Sequence, residues 1–246
     1  MTDRPAVSVE ATSAFWQAPP WPTAFELASL LPPASWTLVG GLMVQLHARL
    51  ANLPPSRTTR DVDCALHLET KATTFAQTVQ ALGSVGFLLD ESTGHAYRFD
   101  RGPDRVDVLC SDRYAASRRP RYRGRPLFGI PGGTRALQET VNVTLATSDG
   151  ERLLVIPSAK GALVMKAAAL RADSRDRERH AEDSVLLLAC AVQPADLVQG
   201  LSSRSRKRLR STVKHLDENR DPWLAHDAIV QGLARECLAT IVKVLG

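Results

Sequence analysis

Asp61 and Asp63 flank Val62 in the run Arg60-Asp61-Val62-Asp63-Cys64-Ala65-Leu66, and no other stretch constrains the chain as much. Val62, Cys64, Leu66 and Leu68 alternate with Asp61, Asp63, Ala65 and His67, which predicts a strand over residues 60–68. Side chains at i and i+2 leave a strand on the same face, roughly 6.6 Å apart along the backbone. A strand that gives its other residues to an apolar core carries two same-face carboxylates only at a cost, unless positive charge meets them. A divalent metal does so. Magnesium takes oxygen ligands and commonly keeps one or two protein carboxylates together with phosphate oxygens.

Asp107 repeats the theme in Arg105-Val106-Asp107-Val108-Leu109. If its strand lies beside that of Asp61, about 4.8 Å away, three carboxylates converge. Metals held there would clamp the attacking and leaving oxygens of an in-line phosphoryl displacement. A chain with 23% charged residues holds about one Asp-x-Asp by chance, so the pair gains its meaning from context. Upstream, Trp36-Thr37-Leu38-Val39 reads as a short strand that ends at Gly40-Gly41, and helical spacing follows from Leu42 to Leu50. Glycines at a strand end let backbone approach a ligand, and the helix N-terminus offers unpaired N–H groups to phosphate. No G-x-x-x-x-G-K-[ST] loop occurs in the chain.

The rest of the chain divides by pattern. Residues 1–20, rich in Ala, Pro and Ser, read as a loose leader. Residues 21–157 mix strands and helices: a helix over 71–84, a strand at 87–89, a hairpin around Arg101-Gly102-Pro103, a long basic loop over 111–135, and a second hairpin turning at Asp149-Gly150. After Pro157 the pattern turns helical, over 158–172, 175–192, about 194–215 and 223–245. The expected class is α+β: a mixed sheet with flanking helices over 21–157, then a helical C-terminal region over 158–246.

Cys64, Cys110, Cys190 and Cys237 are scattered with no C-x-x-C, which fits reduced thiols better than disulfides or zinc. No apolar run reaches the length of a membrane span, and the first residues lack an apolar h-region. A cytoplasmic protein is therefore expected. The formal net charge is only +5, but the cations cluster: Arg118, Arg119, Arg121, Arg123 and Arg125 in one stretch, Arg204, Arg206, Lys207, Arg208 and Arg210 in another. Each cluster is either a solvated face or the footprint of a polyanionic partner.

Val39-Gly40-Gly41, a helix and loop, and then Arg57-Thr58-Thr59-Arg60-Asp61-Val62-Asp63 resemble the signature of polymerase-beta-like nucleotidyltransferases. More narrowly, R-x-T-x-D-h-D after a Gly-Gly helix resembles the AbiEii family of bacterial nucleotidyltransferase toxins, including the MenT type. The resemblance covers about residues 36–190. It implies that Asp61 and Asp63 bind the catalytic metal, magnesium or manganese, with Asp107 as third acid and ligand, and base toward the acceptor hydroxyl. Gly40 and Gly41 would hold the triphosphate, and Arg57 and Thr59 would shape the loop or touch phosphate. In the second half, Lys166 in Met165-Lys166-Ala167-Ala168-Ala169-Leu170-Arg171 and the later Asp183 match the family's helix lysine and final acid, and the resemblance implies that both serve nucleotide binding. The chain departs from the family in its long Gly41–Asp61 gap with Pro54-Pro55 inserted, and in Arg179-His180 where a basic residue and Asp are usual.

The expected function is transfer of a nucleoside monophosphate from a nucleoside triphosphate to an acceptor hydroxyl, with an RNA such as a tRNA 3′ end as acceptor. The family resemblance adds a toxin role with a cognate antitoxin. Ser56 and Thr58 stand close enough to Asp61 for phosphorylation to disturb metal binding by charge repulsion. Two alternatives remain open: a small-molecule nucleotidyltransferase of the antibiotic-modifying type, which would need an acidic pocket, and a catalytically inactive domain used for binding.

Overall fold

The computed structural model describes residues 4–55, 57–113 and 118–245. Its strands are β1 (Ala6–Glu10), β2 (Trp36–Val39), β3 (Asp61–Leu66), β4 (Leu88–Leu89), β5 (Arg98–Arg101), β6 (Asp104–Ser111), β7 (Arg121–Tyr122), β8 (Arg125–Pro126), β9 (Gly129–Ile130), β10 (Thr140–Thr147) and β11 (Gly150–Pro157). Its helices are α1 (Ala14–Gln17), α2 (Trp21–Leu30), α3 (Gly40–Leu50), α4 (Phe75–Ser84), α5 (Gly133–Ala136), α6 (Ala159–Ala172), α7 (Arg177–Ala189), α8 (Ser203–Glu218), α9 (Asp221–Leu224) and α10 (Ala228–Leu245). The α+β class is as expected.

The chain forms two compact units, one of Met1–Leu42 with Thr59–Pro157, the other of Met43–Thr58 with Ser158–Gly246. The second unit thus takes in a segment that the sequence division at residue 157 placed with the sheet.

In the first unit one sheet runs in the order β2-β3-β6-β5-β4, with β9 beside β6. Its middle pair is parallel, β3 on β6, while β2 and β5 run antiparallel to them. Leu38, Val62, Cys64, Phe99, Val106 and Val108 are fully buried on it, and each large apolar side chain so covered stabilises the fold by about 1.5–3 kcal/mol. The second sheet is β1-β10-β11. Ala6–Glu10, expected within a loose leader, is its edge strand, paired in parallel with Asn142–Ala146. The basic loop expected over 111–135 is interrupted by β7, β8, β9 and α5.

Helix starts follow local chemistry. Residues 71–74, expected as helix, precede α4. Lys71 is left-handed at φ 57°, and Thr74 caps α4 in a reciprocal box with Gln77. In the second unit Ser158 and Ser202 cap α6 and α8 by accepting the N–H groups of Gly161 and Ser205. There α6, α7, α8 and α10 pack on one another, and Leu163, Ala167, Val185, Leu187, Ala234 and Ile241 are fully buried.

Candidate active site

The parallel pairing of β3 and β6 sets Asp63 opposite Asp107. Asp61 lies one pleat away on the same face of β3. One carboxylate oxygen from each of Asp61, Asp63 and Asp107 lies within 4.8 Å of the others. The adjacency that the sequence required for Asp107 is therefore present. Asp61 and Asp63 are half-buried, and Asp107 is 6% exposed. Thr59 donates its hydroxyl to Asp61 Oδ1 at 2.9 Å, which fixes that carboxylate.

Gly40 meets this cluster through β2. Val39 pairs with Asp63, and the chain turns into α3 at the next residue. Gly40 has φ 69°, and a Cβ built on it would fall 1.8 Å from Asp63 Oδ2. Both the left-handed backbone and the missing side chain are therefore required here. With Gly41 it opens α3 beside an acid, where the helix N-terminus offers N–H groups.

Arg98 was missed by the sequence reading. Its Nε and Nη2 donate to Asp107 Oδ1 and Oδ2 at 2.9 and 2.8 Å, a two-point clamp. The hairpin could have revealed it: with the turn at 101–104, Arg98 falls directly opposite Asp107 across β5 and β6. Burial pushes the Asp107 pKa up, and the Asp61 charge adds to this. The Arg98 pair opposes both, but the net direction is upward from the usual carboxylate value. Beneath the cluster, burial and the charges of Asp63 and Asp107 push the Cys64 thiol well up, so it stays protonated.

Three hard carboxylate donors converging in this way fit a divalent cation of the magnesium or manganese type. The clamp on Asp107 does not exclude one, because each ionised carboxylate has about four lone-pair sites.

The other expected residues gather in the second unit. Asp183 is 1% exposed. It takes Lys166 Nζ at 2.7 Å on Oδ2, and Arg57 Nε and Nη2 at 3.1 and 2.9 Å. Gln45 of α3 donates to the Arg57 carbonyl at 2.9 Å. Burial alone would push the Asp183 carboxyl up; Lys166 and Arg57 outweigh it and hold the pKa below the usual value. Lys166, 6% exposed in an apolar helix, is thus an inward charge with an anionic partner, and that partner is Asp183. His180 is half-buried; burial and the nearby Lys166 hold its pKa below the ordinary histidine value. Ser56 lies outside the described residues.

No family model and no curated protein matches the chain. Among solved structures, the crystal structure of an antigenic nucleotidyltransferase-like protein from Paracoccidioides brasiliensis superposes with a TM-score of 0.50 at 21% identity, over 83% of this chain and 89% of that one. The chain has a nucleotidyltransferase-like fold. The solution structure of the antibiotic-resistance factor ANT(2'')-Ia aligns more loosely, with a TM-score of 0.43 at 15% identity over 80% of this chain and 99% of that one. Among the described residues, no helix is long and apolar enough to cross a membrane.

Proposed function

We propose that this chain transfers a nucleoside monophosphate from a nucleoside triphosphate to an acceptor hydroxyl, and that the acceptor is RNA, a tRNA 3′ end. The observation that carries the reading is the convergence of Asp61, Asp63 and Asp107 beside Gly40 on a nucleotidyltransferase-like fold.

Asp61 and Asp63, with Asp107, would hold magnesium or manganese. Bound there, the metal would neutralise charge on the phosphate oxygens. Gly40 and Gly41 leave room for the triphosphate against the N–H groups of α3. The acceptor oxygen attacks the α-phosphorus, the bond to pyrophosphate breaks, and the hydroxyl proton passes to Asp107. Arg98 holds the Asp107 carboxylate in one plane for that step. Thr59 orients Asp61. Arg57, Lys166 and Asp183 act through the segment they secure, since Arg57 stands four residues before Asp61 in the chain.

The R-x-T-x-D-h-D resemblance extends the proposal to the toxin of a bacterial toxin–antitoxin system, restrained by a cognate antitoxin. Purified chain given each α-labelled triphosphate with magnesium and total RNA should label the RNA, and Asp61→Ala or Asp63→Ala should abolish it. Transfer that survives both substitutions overturns the reading. Brief induction in cells should arrest growth and leave untemplated nucleotides on tRNA 3′ ends. Unaltered ends would remove the tRNA and toxin parts while leaving the chemistry to the first assay.

A further inference from the structure

Two basic clusters stand out in the sequence. Around the β7–β8 hairpin the arginines are drawn into local contacts. Arg121 donates to the Gly124 carbonyl, Arg125 donates to the Asp90 carbonyl at 2.9 Å, and Arg123 pairs with Glu91 at 3.4 Å.

Helix α8 also holds some of its cations locally: Arg206 donates to the Leu201 carbonyl at 3.4 Å, Arg210 donates to the Leu245 carbonyl, and Lys214 pairs with Glu218 at 3.6 Å. Its net charge and its exposed face set it apart. It holds six Lys and Arg against Asp217 and Glu218, so its formal charge is 6 − 2 = +4; the whole chain carries +5. Ser205, Leu209, Thr212 and Leu216 form its buried stripe at i, i+4, i+7 and i+11. Lys207, Arg210 and Lys214 follow one another at i, i+3 and i+7 on the opposite, exposed side, and Arg204 is exposed at the helix start.

This arrangement is unfavourable for the helix itself. Arg204, Arg206 and Lys207 crowd the first turns with no acidic residue in the first, where the macrodipole disfavours cations. Like-charge neighbours such as Arg204/Arg208 and Arg206/Arg210, four residues apart on the helix, repel each other. A face selected for solubility alone would interleave acids. A bound polyanion offsets the repulsion.

We propose that the exposed face of α8 docks the phosphate backbone of a base-paired RNA stem. The proposal rests on RNA being the acceptor and names the surface that holds it. Two features of the sequence of α8 choose this partner. The outward face has no large apolar side chain to enter a lipid layer, as a membrane-surface helix would. The helix has no Phe, Tyr or Trp on which unpaired bases could stack. What remains is recognition of phosphates along a helix about 24 Å long, blind to sequence and steep in salt.

The test compares the full chain with its triple variant Arg204→Gln, Lys207→Gln, Lys214→Gln, titrated by fluorescence anisotropy against a labelled RNA hairpin, oligo(U) of equal length, and phosphatidylserine vesicles at 50–200 mM salt. The wild type should prefer the hairpin. The variant, folded by circular dichroism, should bind it on the order of 100-fold more weakly near 100 mM salt, with the log–log salt slope reduced by roughly 2–3. Equal hairpin binding by variant and wild type overturns the proposal. So does preference for oligo(U) or for vesicles. If α-label still enters RNA while the variant binds normally, only the role of α8 fails. If the wild type binds no RNA and labels none, the RNA acceptor fails with it.

Discussion

The two clusters that hold the acids answer opposite electrostatic problems. In the first unit, Asp61, Asp63 and Asp107 turn three carboxylates toward one another, and Arg98 clamps only the third. In the second, Asp183 is a single carboxylate between two cations, Lys166 and Arg57. Buried like charges in proximity raise the cost of ionisation, whereas a buried charge with close opposite partners is held ionised. The first cluster groups three acids that could hold a metal ion; in the second, the one acid already meets two cations. Substitutions should therefore separate them.

The largest contrast is in activity. Asp63→Asn should lower label transfer by at least about 1,000-fold, several kcal/mol of lost charge stabilisation. Its melting temperature should hold or rise, because a repelling carboxylate has gone. A melting temperature that falls as far as that of an Asp183 variant would make the cluster structural and break the comparison.

Asp183→Ala should act in the reverse sense. It strands Lys166 and Arg57 and should cost about 3–5 kcal/mol in urea unfolding. Adding Lys166→Met should restore part of that loss. An Asp183→Ala chain of unchanged stability but raised KM for the triphosphate would instead make Asp183 a direct nucleotide ligand.

Gly40→Ala sharpens the first cluster. The left-handed backbone alone costs about 1–2 kcal/mol, and the new methyl must displace Asp63. A stable variant with full transfer activity would show that Asp63 need not stay where it is.

The smallest effect is one of pH. Burial holds the folded pKa of His180 below its unfolded value near 6.5, and nearby Lys166 adds to the depression. The unfolded chain then binds more protons as pH falls, so stability is present above pH 6.5 and is lost below it, down through the folded pKa. The Asp183 contribution, its pKa held below 3.8, goes only at still lower pH. Melting from pH 7 to 5 should show a decline that His180→Gln reduces. An identical decline in that variant would assign it elsewhere.

Much of this was legible from sequence, and for a local reason. Trp36–Val39, the helix after Gly40-Gly41, and the Asp61 strand declare themselves through runs of adjacent residues, as does the turn at Asp149-Gly150. The convergence of Asp107 with Asp61 needed only that two predicted strands be neighbours. What was hidden depends on distant partners. Ala6–Glu10 is a largely exposed, small-residue segment whose strand character comes from Asn142–Ala146. Arg57 meets Asp183 across 126 residues. No spacing along the chain could show that, of the expected nucleotide-side residues, Asp183 takes both Arg57 and Lys166.

Manganese uptake tests the central claim most directly. Purified chain titrated with Mn²⁺ in the presence of a triphosphate, followed by calorimetry or by the loss of free Mn²⁺ signal, should bind the ion. Asp61→Asn with Asp63→Asn should abolish that binding while the chain stays folded. Uptake that persists unchanged in the doubly substituted chain, or no uptake by the wild type, would contradict the account.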